Sequence, residues 1–588
     1  MGVIAALGAA TSAPVGTAAS TGQLTFEGCL TGNTAVTACT PLPGATADGG
    51  GSGVHGAHDL AMSADGRNLY LAAGLDAAVS AFARDPATGA TNFQGCISSN
   101  TSTTACAKTP DAAFAGVNTG LGFLQGIVLS PDGTSLYTAS EGSSVAQFSR
   151  DPASGVVSYV GCISGNSSAL GCTPVSGATP GAIGSPLHDL RSLAISPDGT
   201  SVYVGASESA AIAVFSRDPA SGALTFAGCL TSNSALAACT AIPGAAPGGT
   251  DTALQRIYSV AVSPDGAHVY TASYDGAAVT RFDRDAGGGL TFRDCLTSAA
   301  NVTGCTALPG ATPNGDDSQL DNARSINVTA DGRNVYVASE YTAALTNLAR
   351  DPGTGALSYQ ECFTGNTNVA ACAPVPGATP NGSTRFLSNL EDVLASADGN
   401  SVYVISYEAS VIRFDRDPAT GSLAFRECHT SSTSVVGCLV LPGASAGAVA
   451  SPLHSAWALA LSPDGQFLYA SAEASSAVSR FLRERPSNEF SFGKVRRNKR
   501  KGIAKLHVIV PGRGALTLAG KGLKTVTRDV PSQGDFRLKV KAKGKKAKKL
   551  RKRGKLKVRA SVTYAPVGND ARTKSKRIKL VRKPKRRR

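Results

Sequence analysis

The chain has 588 residues, of which 42% are hydrophobic, and it carries a net charge of +15. This length is too great for one ordinary hydrophobic core, so we expect two folded parts. No stretch approaches the ~20 apolar residues of a membrane-spanning helix, which excludes an integral membrane protein of that kind.

The charge is divided unevenly along the chain. Residues 1–486 hold 20 Lys+Arg against 37 Asp+Glu, a net charge of −17, whereas residues 487–588 hold 36 against 4, a net charge of +32. A composition break this sharp predicts a domain boundary after residue 486.

Residues 1–21 are predicted to be a truncated signal peptide. Val3–Ala10 is a short apolar run, and Thr17-Ala18-Ala19 supplies the small residues of a cleavage site, although the usual basic segment before the apolar run is missing. This start predicts a secreted or cell-surface protein.

Residues 22–486 consist of seven copies of one unit, which we number as repeats 1 to 7. Each copy is marked by an Asp-Gly pair, and the pairs recur every 66 or 67 residues, at Asp65, Asp132, Asp198, Asp265, Asp331, Asp398 and Asp464. A unit that cannot bury its own apolar face must stack on its neighbours, so this period predicts a repeat architecture.

Repeat 3 indicates what each unit is. Val, Thr, Tyr and Phe are enriched in four short runs separated by tight turns, Ser192–Ser196, Ser201–Ser207, Ala211–Arg217 and Ala223–Ala227. The sequence therefore predicts an all-β fold, a seven-bladed β-propeller with four-stranded blades.

The ring needs a closing strand, and two segments compete for this place. Gln23–Cys29 matches a fourth strand that has no first three strands before it, and Phe481–Phe492 aligns with the end of an ordinary repeat. We favour the N-terminal segment, because joining both termini in one sheet suppresses fraying.

All fourteen cysteines form pairs with nine intervening residues, one pair per repeat. The pairs are Cys29 with Cys39, Cys96 with Cys106, Cys162 with Cys172, Cys229 with Cys239, Cys295 with Cys305, Cys362 with Cys372 and Cys428 with Cys438. Two thiolates per repeat cannot complete a tetrahedral metal shell, so we predict seven local disulfides and an oxidising compartment.

One position differs in every repeat while the scaffold around it is constant. Seven residues before each Asp-Gly stand His58, Gln125, Arg191, Tyr258, Arg324, Glu391 and Trp457. Strand alternation predicts that they point the same way as the apolar residues two positions later, and first strands line the central channel. They either fill the channel mouth as solvated polar groups or bind a ligand.

Repeat 1 carries a resemblance to a known family. Its sequence from His58 through Asp65-Gly66 resembles lactonase-type seven-bladed propellers, relatives of 6-phosphogluconolactonase and carboxymuconate cyclase, which have a His at this position. The Ser-Pro-Asp-Gly pattern is also similar to YVTN-type surface propellers that lack catalysis. Only His58 maps onto a lactonase motif position. Ala64 in place of Pro and the cysteine loops depart from that pattern.

Each resemblance implies a different role for the mouth. A lactonase would open a ring ester by water attack, with His58 or Glu391 as base and Arg324 or Arg191 holding an anionic group. A binding protein would use Trp457 and Tyr258 as stacking faces, with Gln125 as a polar contact. We expect no metal site and no cofactor, since no metal-ligand cluster or nucleotide-binding loop is present.

Residues 487–582 are predicted to form a small basic β-sandwich, followed by a basic tail, 583–588. Five runs read as strands: Ala504–Val510, Ala515–Ala519, Phe536–Val540, Leu556–Tyr564 and Arg577–Val581. The pattern resembles Lys-rich modules of secreted actinobacterial proteins. It either forms solvated faces, contacts the acidic repeats or binds an anionic envelope polymer or lipid surface. Nucleic acid is disfavoured, because aromatic residues are scarce around the charge.

The sequence thus favours an exported, monomeric, non-enzymatic protein that binds a ligand through its disulfide-bearing face and attaches to the cell envelope through its basic module. The alternative is a lactone hydrolase that uses the mouth residues.

Overall fold

The structure is a computed structural model that describes residues 22–382, 386–484, 487–512, 514–530, 533–566 and 571–583. The predicted signal peptide and all but Lys583 of the predicted basic tail lie outside these residues. None of the described helices is long and apolar enough to span a membrane.

Residues 24–483 form seven five-stranded sheets, whose strands follow in chain order. The first two strands are β1 (Leu24–Asn33) and β2 (Thr40–Thr46). Sheet 1 contains β3 (Ala57–Met62), β4 (Asn68–Ala73), β5 (Ala78–Arg84), β6 (Thr91–Asn100) and β7 (Ala107–Ala113). Sheet 2 contains β8 (Leu124–Leu129), β9 (Ser135–Ser140), β10 (Ser144–Arg150), β11 (Val157–Asn166) and β12 (Cys172–Thr179). Sheet 3 contains β13 (Leu190–Ile195), β14 (Ser201–Ala206), β15 (Ala211–Arg217), β16 (Leu224–Asn233) and β17 (Thr240–Ala246).

The remaining sheets repeat this arrangement. Sheet 4 contains β18 (Ile257–Val262), β19 (His268–Ser273), β20 (Ala278–Arg284), β21 (Leu290–Ala299) and β22 (Thr306–Thr312). Sheet 5 contains β23 (Ala323–Val328), β24 (Asn334–Ser339), β25 (Ala344–Arg350), β26 (Leu357–Asn366) and β27 (Ala373–Thr379). Sheet 6 contains β28 (Leu390–Ala395), β29 (Ser401–Ser406), β30 (Ser410–Arg416), β31 (Leu423–Ser432) and β32 (Leu439–Ser445). Sheet 7 contains β33 (Ala456–Leu461), β34 (Phe467–Ala472) and β35 (Ala477–Arg483), joined by β1 and β2.

Single 3₁₀ turns follow the fifth strand in several repeats. They span Phe114–Gly116, Pro180–Ala182, Pro247–Gly249, Pro380–Gly382 and Ala446–Ala448.

The all-β class was predicted, but the seven-bladed β-propeller of four-stranded blades is wrong. Each sheet has five strands, and the fifth runs parallel to the fourth, whereas the other neighbours are antiparallel. The predicted four-stranded blade contains no counterpart of this fifth strand.

The disulfide explains the parallel strand. In repeat 3 the chain leaves the sheet after Asn233 and re-enters at Thr240, which pairs with Leu230. A parallel pair ordinarily needs a crossover of a dozen or more residues. Here the crossover is shorter, and the Cys229–Cys239 bond holds the two strands together beside their first pairing position.

All seven predicted disulfides are present, with Cα atoms 4.6–4.8 Å apart. They join Cys29 to Cys39, Cys96 to Cys106, Cys162 to Cys172, Cys229 to Cys239, Cys295 to Cys305, Cys362 to Cys372 and Cys428 to Cys438. No cysteine of the chain is left free. The predicted local pairing is therefore confirmed, and each bridge both closes the turn between the fourth and fifth strands and ties the fifth strand to the sheet.

The N-terminal strand closes the ring of sheets. Strand β1 pairs with β35, from Leu24 opposite Arg483 to Thr31 opposite Ala477. Around the centre, β3 packs against both β8 and β33, and each other first strand packs against its two neighbours. The favoured closing segment is therefore the observed one, and Phe492 of the competing segment lies in the C-terminal domain.

A repeated hydrogen-bond unit, which we call the Arg–Tyr–Gly link, joins each sheet to the next. In repeat 3 the Nε of Arg217 donates to the hydroxyl of Tyr137 in repeat 2 at 2.7 Å, and that hydroxyl donates to the carbonyl of Gly222 at 2.5 Å. The Nη1 of Arg217 donates to the carbonyl of Gly199, and its Nη2 to Asp132. One buried guanidinium thus satisfies groups of two sheets.

The link occurs at all seven junctions, with Nε to hydroxyl distances of 2.6–2.9 Å. The seven tyrosines are fully buried. The pairs are Arg84 with Tyr469, Arg150 with Tyr70, Arg217 with Tyr137, Arg284 with Tyr203, Arg350 with Tyr270, Arg416 with Tyr336 and Arg483 with Tyr403. At the closing junction Tyr403 donates to the carbonyl of Gly22, so the N-terminal segment supplies the missing acceptor.

The C-terminal domain contains two sheets and a helix. The three-stranded sheet has the order β36–β37–β40, and the four-stranded sheet the order β39–β38–β41–β42. The elements are β36 (Ser491–Asn498), β37 (Ile503–Val510), β38 (Gly514–Ala519), β39 (Val526–Val530), β40 (Gly534–Val540), α1 (Gly544–Arg553), β41 (Lys555–Pro566) and β42 (Arg572–Val581).

Both sheets of this domain contribute to one core, which includes Leu506, Val508, Leu516, Val562 and Leu580. The five predicted strands are present. Two further strands, β36 and β39, were missed, and so was α1, which a plain β-sandwich lacks. The helix escaped prediction because seven of its ten residues are Lys or Arg, and its only apolar residues, Ala547 and Leu550, form too short a pattern to indicate a helix.

Replacing Tyr137 by Phe should lower the free energy of unfolding by about 1–3 kcal/mol, because it leaves a buried guanidinium N–H and the carbonyl of Gly222 without a partner. The shift of the thermal unfolding midpoint measures this loss. Tyr341→Phe makes the same chemical change on a side chain that is 63% exposed, and should leave the midpoint unchanged. Equal losses in both variants would contradict a role of the link in stability.

Candidate functional site at the channel mouth

A β-bulge in the first strand of every repeat positions the mouth residues. In repeat 3, Leu190 pairs with Ala206 and Ser192 with Gly205, so Arg191 has no partner in the ladder. The same irregularity lies at His58, Gln125, Tyr258, Arg324, Glu391 and Trp457. A bulge redirects a side chain and often lies beside a functional site.

The bulge corrects the predicted strand alternation. The apolar residues two positions after the bulge, such as Leu193 and Val260, are buried in cores between sheets. The residue directly after the bulge lines the channel instead. The prediction that bulge residues and the apolar residues point the same way is wrong, because the extra residue shifts the alternation by one.

The mouth encloses a cavity of about 110 Å³. Six of the seven predicted residues line it: Gln125, Arg191, Tyr258, Arg324, Glu391 and Trp457. Six residues that follow the bulges line it as well: Asp59, Ser192, Ser259, Ser325, Asp392 and Ala458. The sequence analysis missed this second set, although the same repeat alignment contains it.

His58 does not line the cavity. It is 5% exposed, its Nδ1 lies 2.7 Å from the carbonyl oxygen of Leu124, and its Nε2 lies 3.7 Å from Glu473. Its ring stacks on Trp457 with centroids 4.5 Å apart and an interplanar angle of 18°. His58 therefore supports the indole from behind.

Arginine and aromatic side chains form a continuous column across the mouth. The Cζ atoms of Arg191 and Arg324 lie 5.2 and 5.0 Å from the ring centroid of Tyr258, and that of Arg324 lies 4.8 Å from Trp457. Each such contact contributes about 0.5–2 kcal/mol. The stack with His58 extends this column by one ring, so the aromatic faces are held in fixed orientations.

Carboxylates pair with both guanidiniums. Arg191 contacts Glu141 at 2.6 Å and Asp189 at 2.9 Å. Arg324 contacts Glu340 at 2.9 Å and forms a close ion pair with Glu391. Neither arginine is left free to hold an anionic substrate.

Glu391 is a strongly perturbed acid of the mouth. It is 6% exposed. Burial raises its pKa to about 8, with a further contribution from the nearby carboxylate of Glu340, although Arg324 opposes the shift. For Arg324 itself burial acts downwards, but the charges of Glu391 and Glu340 outweigh it and raise the pKa of the guanidinium.

A second ring of side chains supports the first. Nine residues after each turn aspartate, the loop between the second and third strands carries Glu141, Tyr274, Glu340, Tyr407 and Glu473 in five repeats. Tyr274 stacks on Tyr258 with centroids 4.6 Å apart, and Gln125 donates to Glu141 at 2.7 Å. This position also varies between repeats, which is the signal that would have revealed it.

The residues after the bulges also tie neighbouring first strands together. Asp59 accepts the backbone N–H of Ile127 at 2.9 Å, and Asp392 accepts that of Leu459 at 2.9 Å. Burial raises the pKa of Asp59 to about 7, and the carboxylate of Asp392 contributes to this rise against the Ile127 hydrogen bond. The pKa of Asp392 is also raised by burial.

Acidic side chains are numerous at and beside the mouth. They are Asp59, Glu141, Asp189, Glu340, Glu391, Asp392 and Glu473. The guanidiniums there are those of Arg191, Arg324 and Arg256, the last of which lies over Tyr258. Because the pKa values of Asp59, Glu391 and Asp392 are raised, not all of these acids are ionised near neutral pH. Within the described part of the chain, no group of three His, Cys, Asp or Glu side chains is arranged to hold a metal ion.

Comparison with known proteins gives one short family match. A family profile described as "WD domain, G-beta repeat" matches residues 250–278, which comprise the first two strands of repeat 4 and the turns around them. No curated protein matches the chain.

Several solved structures are similar to the chain at low identity. They include a candidate 6-phosphogluconolactonase from Bacteroides uniformis (15% identity, 62% of this chain and 83% of that chain, TM-score 0.41). A second is a periplasmic gluconolactonase from Pseudomonas aeruginosa (16% identity, 63% of this chain and 84% of that chain, TM-score 0.42). A third is a functionally unknown protein from Desulfotomaculum acetoxidans (12% identity, 66% of this chain and 87% of that chain, TM-score 0.40). At these identities and TM-scores the likeness carries no argument about activity. The YVTN-type and actinobacterial-module resemblances stay predictions.

Replacing Glu391 by Gln should raise the stability of the protein relative to wild type progressively from pH 5 to pH 8. Because the folded-state pKa of Glu391 is about 8 against an ordinary 4.5, the folded protein keeps a proton that the unfolded chain loses. Wild-type stability then falls with rising pH in this window, by at most ~1.4 kcal/mol per pH unit from this group.

Denaturant unfolding midpoints at several pH values measure the difference between the two proteins. Glu27→Gln, the same change at an exposed glutamate, is the matched control and should reproduce the wild-type profile. A Glu391→Gln stability difference that is constant from pH 5 to pH 8 would rule out this titration.

Proposed function

We propose that this is an exported, non-enzymatic protein that binds a small ligand at the channel mouth and attaches to anionic polymers of the cell envelope through its basic C-terminal domain. The observation that carries the binding role is the pairing of both mouth arginines with carboxylates. A lactonase that anchors an acidic or phosphorylated substrate needs a free cation, and the guanidiniums of Arg191 and Arg324 are both already paired.

The mouth has the properties of a small binding site. Its cavity of about 110 Å³ is below the ~300–1,000 Å³ of sites for drug-sized molecules, so the ligand is small or enters only in part. Tyr258 and Trp457 line it with their ring faces packed against Arg324, Tyr274 and His58, and Gln125 and three serines offer hydrogen bonds. Since both mouth arginines are already paired with acidic side chains, a neutral or cationic ligand fits better than an anion.

Two features support export and attachment. Seven disulfides persist in an oxidising compartment, and each repeat contains one. The C-terminal residues 487–588 hold 36 Lys+Arg against 4 Asp+Glu, beside repeats of net negative charge. Such a domain attracts polyanions by a long-range, salt-sensitive field.

The second candidate function is a lactone hydrolase, and Glu391 is the observation that favours it. An acid with a pKa of about 8 that lines a cavity has the proton affinity of a general acid or base near neutral pH. Against this role, Glu391 is held by Arg324, and His58 lies outside the cavity.

One panel experiment separates these two functions. Trp457 is the only tryptophan of the chain, so its fluorescence reports occupancy of the mouth. We expect neutral sugars, small amines or lactones to change this fluorescence, with no acid released from any lactone. Small phosphates and carboxylates should have no effect.

Turnover of a lactone that is lost in Glu391→Gln would overturn the non-enzymatic proposal and establish the hydrolase. Turnover that survives in both Glu391→Gln and His58→Ala would sink the assignment of these residues as catalytic. Binding of anions alone would contradict the charge argument.

Attachment makes its own prediction. The full chain should bind an immobilised anionic polymer such as poly(glycerol phosphate), and its affinity should fall steeply as NaCl rises from about 50 to 200 mM, because released counterions drive such binding. Pelleting assays across this salt series measure the slope. Failure to bind at the lowest salt concentration would contradict the attachment role.

A further inference from the structure

The outer surface of the four-stranded C-terminal sheet has an unusual charge arrangement. Along β41, Lys555, Lys557 and Arg559 are exposed and alternate with buried apolar residues. On β42, Arg577 and Lys579 are exposed and alternate with buried Ile578 and Leu580. The exposed set points away from the core, so it forms one flat face.

The strand register places like charges directly opposite each other on this face. Lys557 lies opposite Lys579, and Arg559 lies opposite Arg577. Opposed like charges on neighbouring strands destabilise a sheet by roughly 0.2–1 kcal/mol per pair. None of these four side chains forms an ion pair with any residue that the structure describes.

Two other basic residues of the same hairpin are neutralised. Arg572 and Lys574 both contact Glu489, the latter at 2.7 Å. Glu489 is therefore used by these two residues and Asp535 by His507, and the two opposed pairs have no ion-pair partner among the described residues. A bound polyanion would relieve their repulsion.

A row of hydroxyl groups continues the same face along the hairpin. Two residues beyond the arginine pair, Ser561 and Ser575 lie opposite each other with hydroxyl oxygens 2.9 Å apart. The next outward pair is Thr563 and Thr573, at 2.7 Å. Successive outward pairs are about 6.8 Å apart along the strands.

We propose that this face, formed by the outward residues 555–563 of β41 and 573–579 of β42, binds a linear polymer in which anionic groups alternate with hydroxyl-bearing units. The inference deepens the proposed attachment role and rests on it. The two opposed pairs hold anionic groups, each contacted from both strands, and the serine and threonine pairs hydrogen-bond the polyol or sugar units that follow.

The aromatic residues of the domain argue against nucleic acid as the partner. Phe490 and Tyr564 are buried in the core, and Phe492 and Phe536 pack against it. No aromatic side chain lies among the outward positions of this face, so it offers no platform for stacking bases.

The test compares two variants of the full chain that lose the same charge. The face variant carries Lys557→Gln, Arg559→Gln, Arg577→Gln and Lys579→Gln. The control carries Lys545→Gln, Lys548→Gln, Lys549→Gln and Lys552→Gln, four exposed lysines of α1. Gln retains good helix propensity, so the control should keep α1 intact.

We expect the face variant to bind poly(glycerol phosphate) roughly tenfold or more weakly than wild type at about 150 mM NaCl, and with a shallower salt slope. The helix control should lose less than threefold. A parallel assay uses polygalacturonate, which also combines anionic groups with hydroxyl-bearing units but carries carboxylates instead of phosphodiesters. Comparing the two polymers shows which anionic group the face prefers. Equal losses in the two variants would overturn the assignment to this face, whereas no binding by wild type would overturn the attachment role itself.

Thermal unfolding separates lost contacts from lost folding. Because the substitutions remove like-charge repulsion, the face variant should unfold at an equal or higher temperature than wild type. Poly(glycerol phosphate) should raise the unfolding midpoint of wild type but not of the face variant. Tighter binding of double-stranded DNA than of either polymer would contradict the proposed partner.

Discussion

The seven-fold Arg–Tyr–Gly link is the interaction on which the sheets depend for their mutual position. Each sheet buries apolar side chains against the next, but hydrophobic burial alone is non-directional. A planar guanidinium with fixed donor directions, such as that of Arg217 bound to Tyr137, fixes the angle and height of one sheet against its neighbour. At the last junction Arg483 and Tyr403 use Gly22, so the same bond geometry also secures the closing strand.

This rigid frame makes the variable mouth possible. A bulge adds one residue to each first strand. That residue can differ from repeat to repeat because later residues of the strand, such as Leu193, form the core. Arg324 illustrates the outcome: its guanidinium contacts Tyr258, Trp457, Glu340 and Glu391, which come from four different repeats. The contacts exist only because the frame brings the seven bulges together.

Much of this organisation could be predicted from the sequence, and the misses have physical causes. The Asp-Gly spacing predicts seven units, the cysteine spacing predicts the disulfides, and the orphan segment Gln23–Cys29 predicts the closing strand. The fifth strand was missed because a parallel pair ordinarily needs a crossover of a dozen or more residues, and the connection between the fourth and fifth strands is shorter. The bulge was missed because a run as short as Leu190–Ile195 fits either of the two possible alternations of inward and outward side chains. Asp59 and Asp392, which follow bulges, were missed for the same reason.

Closure by an N-terminal strand sets an order of assembly. Each disulfide joins cysteines only ten positions apart, so a repeat can form its own bridge as soon as it emerges. Strand β1, by contrast, stays without its antiparallel partner until β35, at the far end of the seven repeats, has emerged. On the proposed export route the protein is therefore an open chain of bridged but unsealed units, with its leading edge exposed.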